Sequence, residues 1–383
     1  MKNDVVIVGA GPVGLTLALG LARQGFDAVL FEARSQGTVQ DHRTLVLSEG
    51  SIRFYRGLGV ALPLDQLTPI EHILVTQKGR FGQTHLSAQD GGAPALGYVI
   101  RYNDLVRHLE SHLAGLTVTR HFDTRVDQIK VVGNTAKAHW AGGDQEASLV
   151  ILADGGQALT EAVFGQPFQH AYAQHALVAT VASAERHHNW AHERFTEVGP
   201  IALLPYEQRN ALVWTGTPAA TEERLMWDES HFLREFQKAF GGRMGAFTDL
   251  SERHSYPLTL KIVKRVAIPR VLCVGNAAQT MHPVAGQGLN LGLRDVATVL
   301  QQSAGRASSE LGTEGWLQNY TKVRRNDRYF GLGMTHALVT GFSHQWPGLA
   351  QARGLGLLFM DGLPFVRRWF CHKMMYGLDK GAP

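Results

Sequence analysis

VVIVGAGPVGLTLALGLARQG, residues 5 to 25, decides how the chain must fold. Val5, Val6, Ile7 and Val8 form a continuous β-branched run, the mark of a strand buried on both faces. Gly9-Ala10-Gly11-Pro12-Val13-Gly14 follows. Leu15, Leu17, Ala18 and Leu21 then continue at helical spacing, and Gly25 predicts the helix end. Ala28 to Phe31 reads as the next strand, with Glu32 at its end. In this context each glycine has its own physical duty. Gly9 makes the tight turn, Gly11 lets a pyrophosphate approach the backbone beside Pro12, and Gly14 lets helix and strand pack closely. The helix N-terminus stabilises the phosphate charge. Glu32, 18 residues past Gly14, is placed to accept hydrogen bonds from a ribose hydroxyl. The pattern predicts an α/β, Rossmann-like domain that holds an adenine dinucleotide. The turn alone does not separate FAD from NAD.

A second device of the same kind stands late in the chain, VLCVGNAAQTMHPVAGQGLNLGLRD, residues 271 to 295. An apolar run leads to a glycine turn, and Leu289, Leu293, Val296 and Leu300 continue at helical spacing. Gly241-Gly242 and Gly354–Gly356 do not follow buried strands, so no second nucleotide fingerprint exists and one permanent dinucleotide site is expected. A helix N-terminus behind Gly286-Gln287-Gly288 presents free backbone N–H groups to partial negative charge. In an FAD protein the pyrimidine edge of the flavin meets that need. The two turns would then serve the two ends of one long cofactor.

These blocks, with VILADGGQALTEAV (150 to 163), resemble the group A FAD-dependent aromatic monooxygenases typified by p-hydroxybenzoate hydroxylase, and more closely the ubiquinone-biosynthesis hydroxylases, the 2-octaprenyl-6-methoxyphenol hydroxylases above all. DHRTLVLSEGS, PALGYVIRYNDLVRHL and ARGLGLLFMDGLPFVRR extend the likeness over nearly the whole chain. The resemblance implies roles by position. Arg43 contacts the FAD pyrophosphate, Arg101 lies along the FAD, and Ala33 and Arg34 join Glu32 among the cofactor contacts. Asn276 stands where many relatives carry an Asp bonded to the ribitol, and Gly275 before it joins the cofactor contacts. Pro283 lies against the flavin ring with His282 before it, the two residues with an implied part in catalysis. Gly286, Gln287, Gly288, Leu289 and Asn290 hold the pyrimidine edge. Asp154 and Gly155 keep part of an Asp-Gly-x-x-Ser-x-x-Arg motif linked to FAD and NAD(P)H, but Ala158 and Glu161 replace its Ser and Arg. That departure puts the nicotinamide docking mode in question.

With 383 residues, the chain is long enough for intimately joined domains. The expected architecture is a discontinuous FAD-binding domain (1–69, 98–172 and 265–335), a β-sheet-containing substrate domain (70–97 and 173–264) and a C-terminal helical region (336–383). Short strand patterns from Thr117 to Leu152 read as a β-meander ending at Asp154-Gly155, and Phe232 to Phe240 reads as a helix. GPIALLPY, residues 199 to 206, is the strand expected to face the substrate, so Leu204 and Pro205 are candidate substrate contacts, with Trp214 and Phe195 as walls. The two cysteines, Cys273 and Cys371, allow no disulfide framework, which points to a reducing, cytoplasmic compartment. No signal peptide and no run of ~18 apolar residues is read. From Thr321 on, nine basic residues stand against three acidic ones, a charge that could face phosphates or an anionic membrane surface. Leu355 to Met375 mixes Leu, Phe, Trp and Met with Arg367, Arg368 and Lys373. A basic amphipathic helix there could rest peripherally on the inner face of a membrane, or dock on the core or a partner.

His108 and His112 stand at i, i+4, but no third ligand completes a metal set, and no metal is expected. No GxSxG elbow supports a hydrolase, and no nucleic-acid partner is expected. The resemblance implies a monooxygenase that hydroxylates a polyprenylated phenol with NADPH or NADH and O2 through a flavin hydroperoxide. A homo-oligomer and contacts with other ubiquinone-biosynthesis proteins are both compatible with it. A hydroxylase of a soluble phenol, a flavin reductase of prenyl double bonds and a flavin-bound scaffold in a biosynthetic complex stay open beside that reading.

Overall fold

The computed structural model describes residues 2–38, 41–156, 158–283, 286–343 and 349–378. The apolar run at the start forms the strand Lys2–Val8, in which Val5, Val6 and Ile7 are fully buried. It lies parallel between Ala28–Phe31 and Gly143–Leu152, at the centre of an eight-stranded sheet. Val118–His121 extends one edge and Val271–Cys273 the other. The meander Val126–Val132, Thr135–Trp140 and Gly143–Leu152 is antiparallel and delivers its last strand beside the first of the chain. Leu15, Leu17 and Leu21 of helix Pro12–Arg23 bury against this sheet.

A nine-stranded sheet forms the other half. Its path runs from Gln279–Thr280 through His254–Ile262, Phe168–Ser183, Arg209–Gly216, Pro200–Tyr206, Trp190–Phe195 and His72–Gln77 to Gln83–Ser87. The segment 70–97 thus supplies two strands to the sheet built mainly from 168–262. Period-2 alternation gives the sheet two different faces. One face carries Leu177, Ile201, Leu203, Leu212 and Trp214 into a core made with Phe232 and Phe236 of helix Glu229–Phe240. The other face looks into the interior cavity.

The tail differs from the single helix expected. Pro364 opens a new helix at its first turn, so the segment is two helices, Leu349–Gly362 and Pro364–Tyr376, following Glu314–Ser343. Of the C-terminal region, 344–348 and 379–383 lie outside the described residues. The helices pack on the strand Gln83–Ser87. Thr84 Oγ1 donates to the Leu357 carbonyl at 2.6 Å, the His85 N–H donates to Asp361 at 2.8 Å, and Arg367 pairs with Asp90 at 3.3 Å.

The basic tail also divides unexpectedly. Arg324 and Arg328 face neither phosphate nor membrane but are buried beneath the second glycine turn. Arg324 pairs with Asp295 and Asp327, each at 2.7 Å. Arg328 donates to Gln279 at 2.6 Å and to the Val263 and Ala278 carbonyls at 2.8 Å. Buried charges persist only when paired and bonded in this way.

Candidate functional site

Both glycine turns open on one cavity of about 1190 Å³ between the two sheets. At the first turn Gly9 has φ +107, and a Cβ there would stand 2.5 Å from the Ala153 carbonyl oxygen. A Cβ on Gly14 would collide with the Gly9 carbonyl, so the helix can sit this close only with glycine there. Helix Pro12–Arg23 begins at Gly11 with no side-chain cap and no acidic residue in its first turn. Helix Gln287–Ser303 begins at Gly286 in the same state. By contrast, Ser48, Thr217 and Asp228 cap their own helices. Two uncapped positive helix ends therefore face one space, which suits a group with separated negative centres.

Glu32 is buried at the cavity edge. Its Oε2 accepts from the Ala10 N–H at 2.8 Å, and its Oε1 accepts from Arg34 Nε at 2.9 Å. Burial raises its pKa, but the Arg34 hydrogen bond and charge and the Ala10 N–H outweigh that and hold the carboxylate below its ordinary value. Arg43 pairs with Asp41 and lies over the rings of Tyr102 and Tyr256, 5.8 and 5.2 Å from their centroids. Ala33, Arg34, Asp154, Gly155, Asn276 and Pro283 line the same space, as do Gln287, Gly288 and Leu289. Asp154 accepts from the Gly156 N–H at 3.0 Å and from Thr160 Oγ1 at 2.8 Å, which fixes its loop.

Other expected contacts are placed elsewhere. Gly275 lies beneath the turn, where a Cβ would stand 3.1 Å from Val13; a Cβ on Gly292 would come within 2.9 Å of the same side chain. These two glycines let the second helix pack on the first turn. Asn290 reaches the wall, but its side chain is already committed. It donates to the Val46 and Gly286 carbonyls and accepts from the Ser48 N–H and Ser51 Oγ, all within 2.8 Å. Arg101 stands off the cavity, with its guanidinium 5.2 Å from the Tyr206 ring centroid and 3.9 Å from Glu207. Leu204 lines the cavity, whereas Pro205 and Trp214 do not. The reason is alternation: Ala202 and Leu204, like Val213 and Thr215, face inward, and the residues between them face the helices. Phe195 also lines the cavity.

His282 is 1% exposed and meets the Tyr172 ring edge-on at 5.4 Å. Burial lowers its pKa to about 4, so the imidazole is neutral at physiological pH. Ala158 lines the wall, but Glu161 turns away and accepts from Gln166 at 3.2 Å. The charge reversal noted in the sequence is thus not on the cavity surface.

Several lining residues escaped sequence reasoning. Tyr102, Tyr256 and Asp41 surround Arg43, and Leu357, Met360, Phe370 and Met374 of the tail close an apolar arm. Glu193 lies on the wall as well. The alternation Ala191, Glu193, Phe195 was the signal that could have exposed it. Among the described residues one group could hold a metal, His42, Glu252 and His254. Its two imidazoles are stacked 3.8 Å apart and 12° from parallel, which points their in-plane nitrogens alongside one another rather than toward a shared centre. His108 is engaged by the Ala61 carbonyl at 2.7 Å.

Comparison with known proteins agrees with this geometry. Residues 2–327 match the family model described as an FAD binding domain. The ubiquinone hydroxylase UbiL of Rhodospirillum rubrum is 31% identical over 99% of this chain and 90% of its own length. The 3-demethoxyubiquinol 3-hydroxylase of Escherichia coli is 28% identical, covering 96% of each chain. Among solved structures, p-nitrophenol 4-monooxygenase PnpA from Pseudomonas putida shares the fold, with a TM-score of 0.78 over 97% of this chain and 96% of that one at 16% identity.

Proposed function

The chain belongs to the FAD-binding-domain family of aromatic-ring monooxygenases, and from that membership we propose that it hydroxylates the ring of a polyprenylated phenol in ubiquinone biosynthesis, with NAD(P)H as reductant and O2 as oxidant. Its cofactor is FAD. The observation that carries the reading is the single cavity onto which two uncapped helix ends open and from which an apolar arm runs under the tail helices. At about 1190 Å³ it exceeds the ~300–1,000 Å³ usual for small-molecule sites, as a dinucleotide plus a second molecule would need.

Bound FAD supplies the electron transfer and oxygen activation, and the protein supplies position, dryness and electrostatics. The helix end at Gly11, with Arg34 and Arg43, holds the pyrophosphate, and Glu32 holds the ribose. The helix end at Gly286 stabilises negative charge on the pyrimidine edge. Pro283 and the neutral His282 border the ring without adding charge. Ala202, Leu204 and Val213 form the floor under the substrate ring. Leu357, Met360, Phe370 and Met374 surround its isoprenoid tail, and flexible Met side chains suit such an irregular chain. That arm favours a tailed phenol over a soluble one.

The outer faces of the tail helices carry Leu355, Phe359, Phe365 and Trp369, each more than half exposed, beside exposed Arg368. No described helix is long and apolar enough to cross a membrane. This surface would rest on the membrane that dissolves the substrate. Vesicles containing anionic lipid should co-sediment with the wild type and not with Phe365→Asp/Trp369→Asp; equal binding of both would reject the contact.

The catalytic reading is tested anaerobically. NADPH or NADH is added to the yellow protein, and flavin bleaching is followed with and without a prenylated phenol. Acceleration by the phenol, with a hydroxylated product after air is admitted, is the expected result. Protein that neither nucleotide bleaches in the presence of the phenol would refute it.

A further inference from the structure

Glu193 sits at the middle of strand Trp190–Phe195 and faces the cavity. The register places it opposite Val75 on one side and Ala202 on the other, and the row continues through Val213 and Val178. The adjacent rows on the same face hold Ile73, Ala191 and Leu204, and Gln77, Phe195, Pro200 and Thr215; Gln77 donates to the Phe81 carbonyl at 3.4 Å and stands off the cavity wall. One carboxyl group therefore stands in a floor of small and apolar side chains. Its sequence neighbours do not neutralise it: Arg194 turns to the other face, and His192, which also borders the cavity, is held neutral by burial, its pKa lowered to about 4. His192 meets the Phe240 ring edge-on at 5.8 Å, and Arg194 reaches Thr76 at 3.5 Å. Among the described residues Glu193 has no hydrogen-bond or ion-pair partner.

A half-buried carboxyl without a partner among the described residues, set in a largely apolar wall, requires an explanation in a native fold. The desolvation raises its pKa to about 8, so the group carries its proton near neutral pH. A protonated carboxyl offers one O–H donor and one carbonyl acceptor side by side. A ring hydroxyl offers the complementary acceptor and donor. An aliphatic tail offers neither, so the ring rather than the tail belongs over this position.

We propose that Glu193 is the specificity-determining residue of the substrate half, hydrogen-bonding a hydroxyl of the substrate ring and thereby orienting that ring on the sheet face. The inference rests on the phenol reading above and adds which side chain recognises the hydroxyl. Sites built to bond a hydroxyl discriminate strongly against analogues that lack it, because the site's own polar group is then left unpaired.

The test uses FAD-loaded, oxidised protein and needs no turnover. 2-Geranylphenol and geranylbenzene, the same molecule without the hydroxyl, are titrated against the flavin absorbance of the wild type, Glu193→Gln and Glu193→Leu. The wild type should prefer the phenol by about 10- to 100-fold, the size of one buried hydrogen bond and its unsatisfied counterpart. Gln, which keeps a donor and an acceptor, should retain most of that preference. Leu should abolish it by losing affinity for the phenol, while flavin content stays unchanged. Without ligand the Leu variant should melt at a higher temperature than the wild type, which shows that it folds and that the carboxyl was a stability cost. A Leu variant with the wild-type preference would overturn the proposal for Glu193 and leave the phenol reading standing. Wild type that binds neither compound would remove both.

Discussion

The cofactor half and the substrate half of the cavity are built in opposite ways. Around the two turns the backbone makes the site, through φ +107 at Gly9, the near-contact of Gly14 with Gly9, and helix ends without a side-chain cap at Gly11 and Gly286. On the sheet face the side chains make it, and any residue of suitable size would keep the strand. The difference teaches where function is visible in a sequence. A backbone site requires glycine at fixed spacing, whereas a side-chain site requires only the right parity along a strand.

Breaking the backbone half should have the largest effect. Gly14→Val drives a side chain into the Gly9 carbonyl, and the expected product is protein without flavin, measured as the ratio of flavin to protein after purification. Retention of normal FAD content would show that close helix–strand packing is not needed. Asp295→Ala comes next. It removes one of the two carboxylates that pair with Arg324 and the acceptor of the Gly275 N–H, so Arg294 and Arg324 are left to share Asp327 and one net positive charge stays buried beneath the second turn. A loss of ~3–5 kcal/mol in denaturant unfolding is expected.

A paired experiment sharpens the substrate half. Trp214→Ala should lower stability by ~3–5 kcal/mol through the cavity left against Phe232 and Phe236, with ligand affinity little changed. Leu204→Ala, ten residues earlier and on the other face, should weaken binding of a prenylated phenol by ~10-fold or more with little change in melting. The comparison would collapse if both variants moved the same observable. The smallest effect concerns pH. His282 is neutral in the fold, with a pKa lowered to about 4, so the unfolded chain takes up its proton first as the pH falls. The stability it contributes is fully present above about 6.5 and is lost progressively toward about 4. Urea titrations of wild type against His282→Gln should show that loss only in the wild type.

The same contrast explains what could be read in advance. The strand, turn, helix and acid of residues 5–32 and the late turn at Gly286 were legible because few residue types satisfy those geometries. Trp214 was misplaced because composition favours an aromatic as a pocket wall, whereas the register assigns it to the opposite core. Motif position puts Arg101 along the cofactor, whereas the structure has it at the surface beside Tyr206 and Glu207. Arg324 and Arg328 looked like surface charge because no local pattern shows that a long helix will bury them under a turn formed some 40 to 50 residues earlier. For the same reason the sequence leaves the tail open between a membrane, a partner and the core, since its contacts with the strand at Thr84 are set by tertiary packing alone.

The packing of Val13 against Gly275 and Gly292 has a consequence in time. During synthesis the first turn emerges more than 250 residues ahead of its supports, and Ser48 must wait 327 residues for the Met375 carbonyl, to which it donates at 2.9 Å. Contacts so remote in sequence close slowly. The nascent chain therefore displays a nucleotide-binding fingerprint long before it has a nucleotide site. Cofactor capture should come as one of the last events of folding, and a chain released before its C-terminal helices should emerge colourless.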